Sequence, residues 1–320
     1  MGVLVNGVWR DEGSAATTTN GRYVRSDSQF RSWVTADGSS GFPAAAGRYH
    51  LYIAIGCPWA HRTWIFRQLK RLDDVISMSI VTSRRTDQGW VFDNDNPRYR
   101  DTLLGNRYLH EIYTLAQPDF TGRVTVPVLW DKQRQTIVNN ESSEIIRMLN
   151  SAFAAFTNDT TDYYPEPLRA EIDVLNDLIY RTVNNGVYRA GFATTQEAYE
   201  EAVDALFVTL DQLEVRLATR RYLLGNRLTE ADWRLFPTLA RFDAAYNGAF
   251  KCNVRRLVDY PNLWAYTREL YQIPGIAETV DLEIYKQGYY SPSPLRNPLG
   301  IVPKGPVVDF TVPHGRAALS

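Results

Sequence analysis

Two cysteines occur in the chain, and Cys57 is placed where a thiol can do chemistry. It closes the apolar, alternating run HLYIAIG and is followed by PWAHR, so a strand meets a helix at this residue. Pro58 suits the first helical position, where a missing N–H costs nothing. The open N–H groups of that first turn and the helix dipole favour negative charge on sulfur, and the thiolate is the nucleophilic form of cysteine. Position four of the motif is Ala60. No neighbouring thiol can therefore release a mixed disulfide by forming an internal one. Cys252 lies far away in a helical stretch and is expected to be a small buried apolar residue.

A mixed disulfide on Cys57 must then be resolved by a thiol from solution, which points to glutathione as the cytosolic reagent. Two further stretches fit such a tripeptide. In RVTVP, the residues Arg123, Val124, Thr125, Val126 and Pro127 lead into a strand. In a thioredoxin-like domain a proline opening the third strand is commonly cis, which presents the N–H and C=O of Val126 to an extended peptide; the alternative is a plain edge-strand proline. In NNESSEIIRMLN, a helix begins near Glu141 and Ser142, with Asn139 or Asn140 as its expected cap. Its N–H groups can hold the γ-glutamyl carboxylate, and Glu141 can pair with the ammonium. Arg123 is a candidate for the glycyl carboxylate or nearby backbone, and Trp90 for a cover over the tripeptide.

These residues need a frame. RYHLYIAIG reads as a strand, PWAHRTWIFRQLKRL as a helix and VISMSIV as a second strand. A polar excursion over 82–121 holds a short helical candidate near 107–115. VTVPVLWD, QTIVNN and the helix from Glu141 complete a β-α-β-β-β-α order, an α/β thioredoxin-like domain expected over 47–152. Residues 1–46, rich in Gly, Ser, Thr and Ala, read as an extended arm. An all-α domain is expected over 165–290, with helices near 166–185, 195–219, 229–246 and 261–272. Thr229 and Asp232 form a capping box, and Pro237 predicts a bend. Residues 291–320 carry the prolines of a tail laid over the surface.

The totals exclude several classes. With 35 basic and 36 acidic residues, no charge excess argues for nucleic acid or an anionic membrane as partner. No secretory pattern or spanning apolar stretch is visible, and the cytoplasm is the expected compartment. The four histidines are scattered without metal-ligand spacing, so no metal is expected. His61, four residues after Cys57, reads as a surface or capping residue.

Taken together, CPWAHR, GWVF, TGRVTVPVLWD, NNESSEIIRMLN, NGVYRAGFA, YLLGNRLTEADWRLFPTLARFD, FKCN, YPNLW and NPLGIVPKGP resemble the glutathionyl-hydroquinone reductases, also called Xi-class glutathione transferases. The resemblance extends over roughly residues 20–310. It implies a glutathione transferase fold whose helical domain supplies an open pocket for an aromatic substrate. It implies reduction of S-glutathionyl-hydroquinones to hydroquinones through a Cys57–glutathione mixed disulfide, with glutathione as co-substrate, no permanently bound cofactor, and a homodimer. It also points to Tyr188 as proton donor, with Tyr246 and Tyr289 stabilising the thiolate or orienting the ring. Tyr290 is a close alternative to Tyr289. An omega-like thioltransferase or dehydroascorbate reductase, and a non-catalytic binding module, are the competing readings.

Overall fold

A computed structural model describes residues 2–11 and 18–319. The chain forms two compact units, Met1–Ala15 with Ser26–Thr161, and Ala16–Arg25 with Asp162–Ser320. The arm expected over 1–46 is more structured than its composition suggests, and its residues 12–17 lie outside the described residues. It carries two short hairpins: β1 (Val3–Val5) with β2 (Val8–Arg10), and β3 (Thr18–Thr19) with β4 (Arg22–Tyr23). Asn-Gly pairs at Asn6–Gly7 and Asn20–Gly21, all four residues at positive φ, make both turns.

The first unit is built on β5 (Tyr49–Ala54), α1 (Pro58–Leu69), β6 (Ser77–Val81), α2 (Leu109–Ala116), β7 (Gly122–Arg123), β8 (Val128–Asp131), β9 (Thr136–Asn139) and α3 (Ser142–Ser151). Its main sheet has the order β6-β5-β8-β9, with β5 parallel to β6 and antiparallel to β8. This is the mixed sheet of a thioredoxin-like domain, with α2 supplied by the polar excursion. All six residues of β5 are buried, as a central strand covered on both faces requires. Even His50 belongs to this core. Its ring nitrogens lie 2.7 Å and 3.0 Å from the hydroxyls of Ser77 and Ser79, and burial pushes its pKa down to about 3. The ring is neutral at physiological pH. Helix α1 packs on α3 and β5, and His61, on this helix, is 1% exposed. The surface reading of His61 is thus corrected, because α1 turns that position inward.

The second unit is helical: α4 (Arg169–Ile179), α5 (Gly186–Gly191), α6 (Gln196–Leu217), α7 (Glu230–Leu239), α8 (Asn247–Ala249), α9 (Pro261–Tyr271) and α10 (Leu282–Tyr289). The helix expected over 166–185 passes at Tyr180–Asn184 into a π-helical turn. The one expected over 229–246 stops as an α-helix at Leu239, two residues after Pro237, and Phe242–Tyr246 is again π-helical. Helix α10 is missing from the sequence-based expectation, since LEIYKQGY is short and flanked by irregular chain. Thr229 and Asp232 do form the capping box of α7. The segment after α10 has no regular structure, yet Phe310 and Arg316 are only 6% and 3% exposed, so the tail inserts side chains instead of merely lying on the surface.

Candidate active site

Cys57 is the N-cap residue of α1, with extended backbone (φ −84°, ψ 119°) and Pro58 beginning the helix. Its N–H donates to Ala54 O at 3.0 Å and its carbonyl accepts from His61 N at 3.0 Å. The side chain is thereby left out of the helix's own bonding, and it makes no capping bond. Sγ is half-buried and lies 3.6 Å from the carbonyl oxygen of Val126. The Val126–Pro127 peptide bond is cis, and Pro127 immediately precedes β8. Strand end, helix start and the backbone of Val126 thus converge on one sulfur. Cys252, by contrast, is completely buried and desolvation pushes its thiol far up.

The second group sits at the start of α3. The cap of that helix is Glu141, not Asn139 or Asn140. Both asparagines have other partners: Asn139 Oδ1 accepts from Glu141 N at 2.7 Å, and Asn140 Oδ1 accepts from Phe30 N at 3.2 Å. Glu141 Oε1 accepts from the N–H of Ser143 at 3.1 Å and from its hydroxyl at 2.9 Å, while Oε2 accepts from Ser28 Oγ at 3.1 Å. Burial alone would raise this carboxyl, but the two Ser143 donors, the nearby Arg62 guanidinium and the Ser28 hydroxyl outweigh it and hold the group below the ordinary carboxylate range. Glu141 is an anion at neutral pH. Arg62, 2% exposed on α1, donates to Ser142 Oγ at 3.4 Å and lies 4.7 Å over the ring of Trp59. A guanidinium only donates, so the Ser142 hydroxyl can direct its own hydrogen outward.

The remaining glutathione candidates are carried on neighbouring backbone. Arg123 belongs to β7 and pairs with Val3 of β1, and Val124 and Thr125 are half-buried in the segment leading to Val126. Trp90 follows the turn at Thr86–Gly89, its carbonyl accepts from Leu109 N at 2.9 Å, and the Arg85 guanidinium lies 4.9 Å over its ring. Cys57 and Val126 are brought into direct contact. Glu141 and Ser142 are joined to α1 through Arg62, and Trp90 and Arg123 are held by the segments that carry them.

In the second unit, three tyrosines from separate elements meet. Tyr188 of α5 and Tyr289 of α10 have hydroxyls 2.7 Å apart, and Tyr246, the last residue of a π-helical turn, is 3.0 Å from Tyr289. Tyr289 is the centre of the chain of hydroxyls. Its neighbour Tyr290 directs its hydroxyl to Gly248, where an added Cβ would lie 2.0 Å from it. Desolvation raises Tyr246 and Tyr289 well above the usual phenol value, so both keep their protons. The Arg25 guanidinium lies 4.8 Å over the Tyr188 ring and donates to Asn185 Oδ1 at 2.8 Å. Among the described residues, no group of three or more His, Cys, Asp or Glu is arranged to hold a metal.

Several contributors are absent from the sequence reading. Arg62 is visible in CPWAHR, but nothing in that stretch assigns it a role. Ser28 and Phe30 bond with residues more than a hundred positions away, a pairing without local signal.

The chain is similar to known proteins over nearly its whole length. Residues 56–152 match the glutathione S-transferase N-terminal domain and residues 196–269 the corresponding C-terminal domain. The chain is 51% identical to the glutathionyl-hydroquinone reductase YqjG of Escherichia coli, over 99% of this chain and 98% of that one. It is 52% identical to the glutathionyl-hydroquinone reductase PcpF of Sphingobium chlorophenolicum, over 96% of each. The glutathione-bound structure of E. coli YqjG superimposes with a TM-score of 0.91 at 49% identity, covering 99% of both chains.

Proposed function

The chain belongs to the glutathionyl-hydroquinone reductases of the glutathione S-transferase family, and from that membership we propose how it reduces S-glutathionyl-hydroquinones, with Cys57 as the nucleophile. The observation that carries the mechanism is the Cys57 sulfur at a helix N-terminus, 3.6 Å from the Val126 carbonyl, with Ala60 where a resolving thiol would stand. A bound glutathionyl group would pair its cysteinyl backbone with Val126 and set its γ-glutamyl end at Glu141 and Ser142, with Arg123 and Trp90 bordering it.

The Cys57 thiolate attacks the sulfur of the conjugate. An S–S bond forms, the bond from sulfur to the ring carbon breaks, and its electron pair stays on the ring, which accepts a proton to become the hydroquinone. The donor is a phenol, Tyr188, replenished through Tyr289 and Tyr246. A second glutathione thiolate then attacks the glutathionyl sulfur of the mixed disulfide, releasing glutathione disulfide and restoring Cys57. Glutathione is a co-substrate throughout. The same membership supports a cytoplasmic homodimer, and it leaves the omega-like thioltransferase reading as the less supported.

The test is incubation with glutathionyl-menadiol and glutathione, following menadiol and glutathione disulfide together, with dehydroascorbate in parallel. Equimolar products are expected, and Cys57→Ser should release no menadiol while still binding glutathione. Turnover retained in that variant would refute Cys57 as nucleophile.

A further inference from the structure

Tyr113 lies in the middle of α2 and is 0% exposed. Nothing in its pattern distinguishes it from a core aromatic, and its ring does pack against Phe30 and Phe120. Its hydroxyl is another matter. It donates to Thr125 O at 2.8 Å, and it accepts from Thr125 N at 3.2 Å and from Asn140 Nδ2 at 3.1 Å, with Thr125 Oγ1 at 3.3 Å. A phenol has one hydrogen and two lone pairs, so this one is saturated. Burial raises Tyr113, which keeps the hydrogen that Thr125 O receives.

The orientation of Asn140 is equally determined. Its Oδ1 accepts from Phe30 N at 3.2 Å, its N–H donates to Phe30 O at 3.1 Å, and its carbonyl accepts from Ser28 Oγ at 3.2 Å. With Oδ1 committed to an N–H donor, Nδ2 must face Tyr113. Thr125 immediately precedes Val126, and Asn140 immediately precedes Glu141. One buried oxygen therefore ties together the residues next to each of two separate glutathione contacts.

We propose that Tyr113 is a positioning residue whose hydroxyl couples the Val126 edge to the Glu141 cap, setting the spacing at which the cysteinyl and γ-glutamyl parts of glutathione are held together. This rests on the reading of Val126, Glu141 and Ser142 as the glutathione site. Coupling of this kind makes the two contacts cooperative. A ligand that spans both gains from their fixed separation, whereas a ligand that reaches only one gains little.

The experiment is calorimetric binding of glutathione, γ-glutamylcysteine and cysteinylglycine to wild type and Tyr113→Phe, with the melting temperature of each protein. The phenylalanine keeps the ring contacts and removes only the hydroxyl. Glutathione and γ-glutamylcysteine should each bind about tenfold more weakly, from the loss of roughly one buried hydrogen-bond set, and cysteinylglycine no more than about threefold. Asn140→Ala breaks the same link from the other side, carries the test if Tyr113→Phe folds poorly, and should add little in the double variant. Binding of glutathione by Tyr113→Phe within twofold of wild type overturns the coupling. So does equal weakening of all three ligands with a lowered melting temperature, the mark of general loosening. Failure of the wild type to bind glutathione overturns the site reading, and the coupling with it.

Discussion

The chemistry of this chain depends on what each functional atom is prevented from doing. Cys57 is kept from capping its own helix and from pairing with a second thiol, so its sulfur is available to a substrate. Tyr246 and Tyr289 are kept from ionising by burial, so they stay protonated. The Tyr289 hydroxyl bonds to those of both Tyr188 and Tyr246. Tyr289→Phe should remove the hydroxyl shared by Tyr246 and Tyr188 without emptying the ring position. If Tyr188 delivers the proton, hydroquinone release in a single turnover should slow by about tenfold in Tyr289→Phe and by about a hundredfold in Tyr188→Phe. Release of glutathione disulfide from preformed Cys57–glutathione disulfide should be unchanged, because that half-reaction protonates no carbon. Slowing of both halves alike would remove the tyrosines from the proton path. At this scale the sequence is legible where a residue type is rare and its neighbours are specific, as in GCPWA. It is illegible where a common residue acquires a role by folding, as Tyr113 does among nineteen tyrosines.

Elements succeed or fail as predictions according to whether their signals are local. Thr229 and Asp232 announce the start of α7 because both partners of the capping box lie within four residues. The start of α3 was harder. Asn139 and Asn140 are better cap types than glutamate, but the 28–30 segment and the turn itself engage their side chains, and the cap passes to Glu141. That displacement has a pH signature. The carboxyl of Glu141 is held below its ordinary value in the folded chain. Its stabilising contribution is thus fully present above the unfolded value and is lost as pH falls through the folded one. Glu141→Gln should be less stable than wild type by about 2 kcal/mol at pH 7, the scale of charge-assisted hydrogen bonds. The difference should shrink on acidification below the ordinary carboxylate range near pH 4. Urea unfolding at several pH values measures this, and a gap independent of pH would contradict it.

At the scale of the whole molecule, the β-α-β and β-β-α halves and the helical half were readable, since periodicity and the order of elements are properties of contiguous sequence. The ends of the chain were not. The tail reads as proline-rich covering, yet it is fastened to the helical unit by particular groups. Phe310 packs on Trp264 and Tyr271, and Gln272 Nε2 donates to the carbonyls of Phe310 and Val312, each at 2.8 Å. Arg316 goes deeper. It donates to Leu217 O at 3.0 Å and to Arg220 O and Arg221 O at 2.7 Å, and it pairs with Glu269 at 3.3 Å. It therefore binds the carbonyl of Leu217, the last residue of α6, which has no partner within the helix, together with two carbonyls of the chain that follows. Composition cannot signal this, because an arginine in a polar, irregular stretch looks solvated until the fold supplies carbonyls for it. Removing the guanidinium leaves buried acceptors without a donor, although Glu269 keeps Arg221 at 2.6 Å. Arg316→Ala should therefore cost about 3 kcal/mol, the lower end for breaking a buried ion pair. Arg316→Lys should recover only part, since an ammonium cannot span three carbonyls and a carboxylate in one plane. The loss should appear as an earlier urea transition, with the rate of Cys57 alkylation in native buffer unaffected. An Arg316→Ala protein as stable as wild type would show that the tail covers the helical unit without holding it.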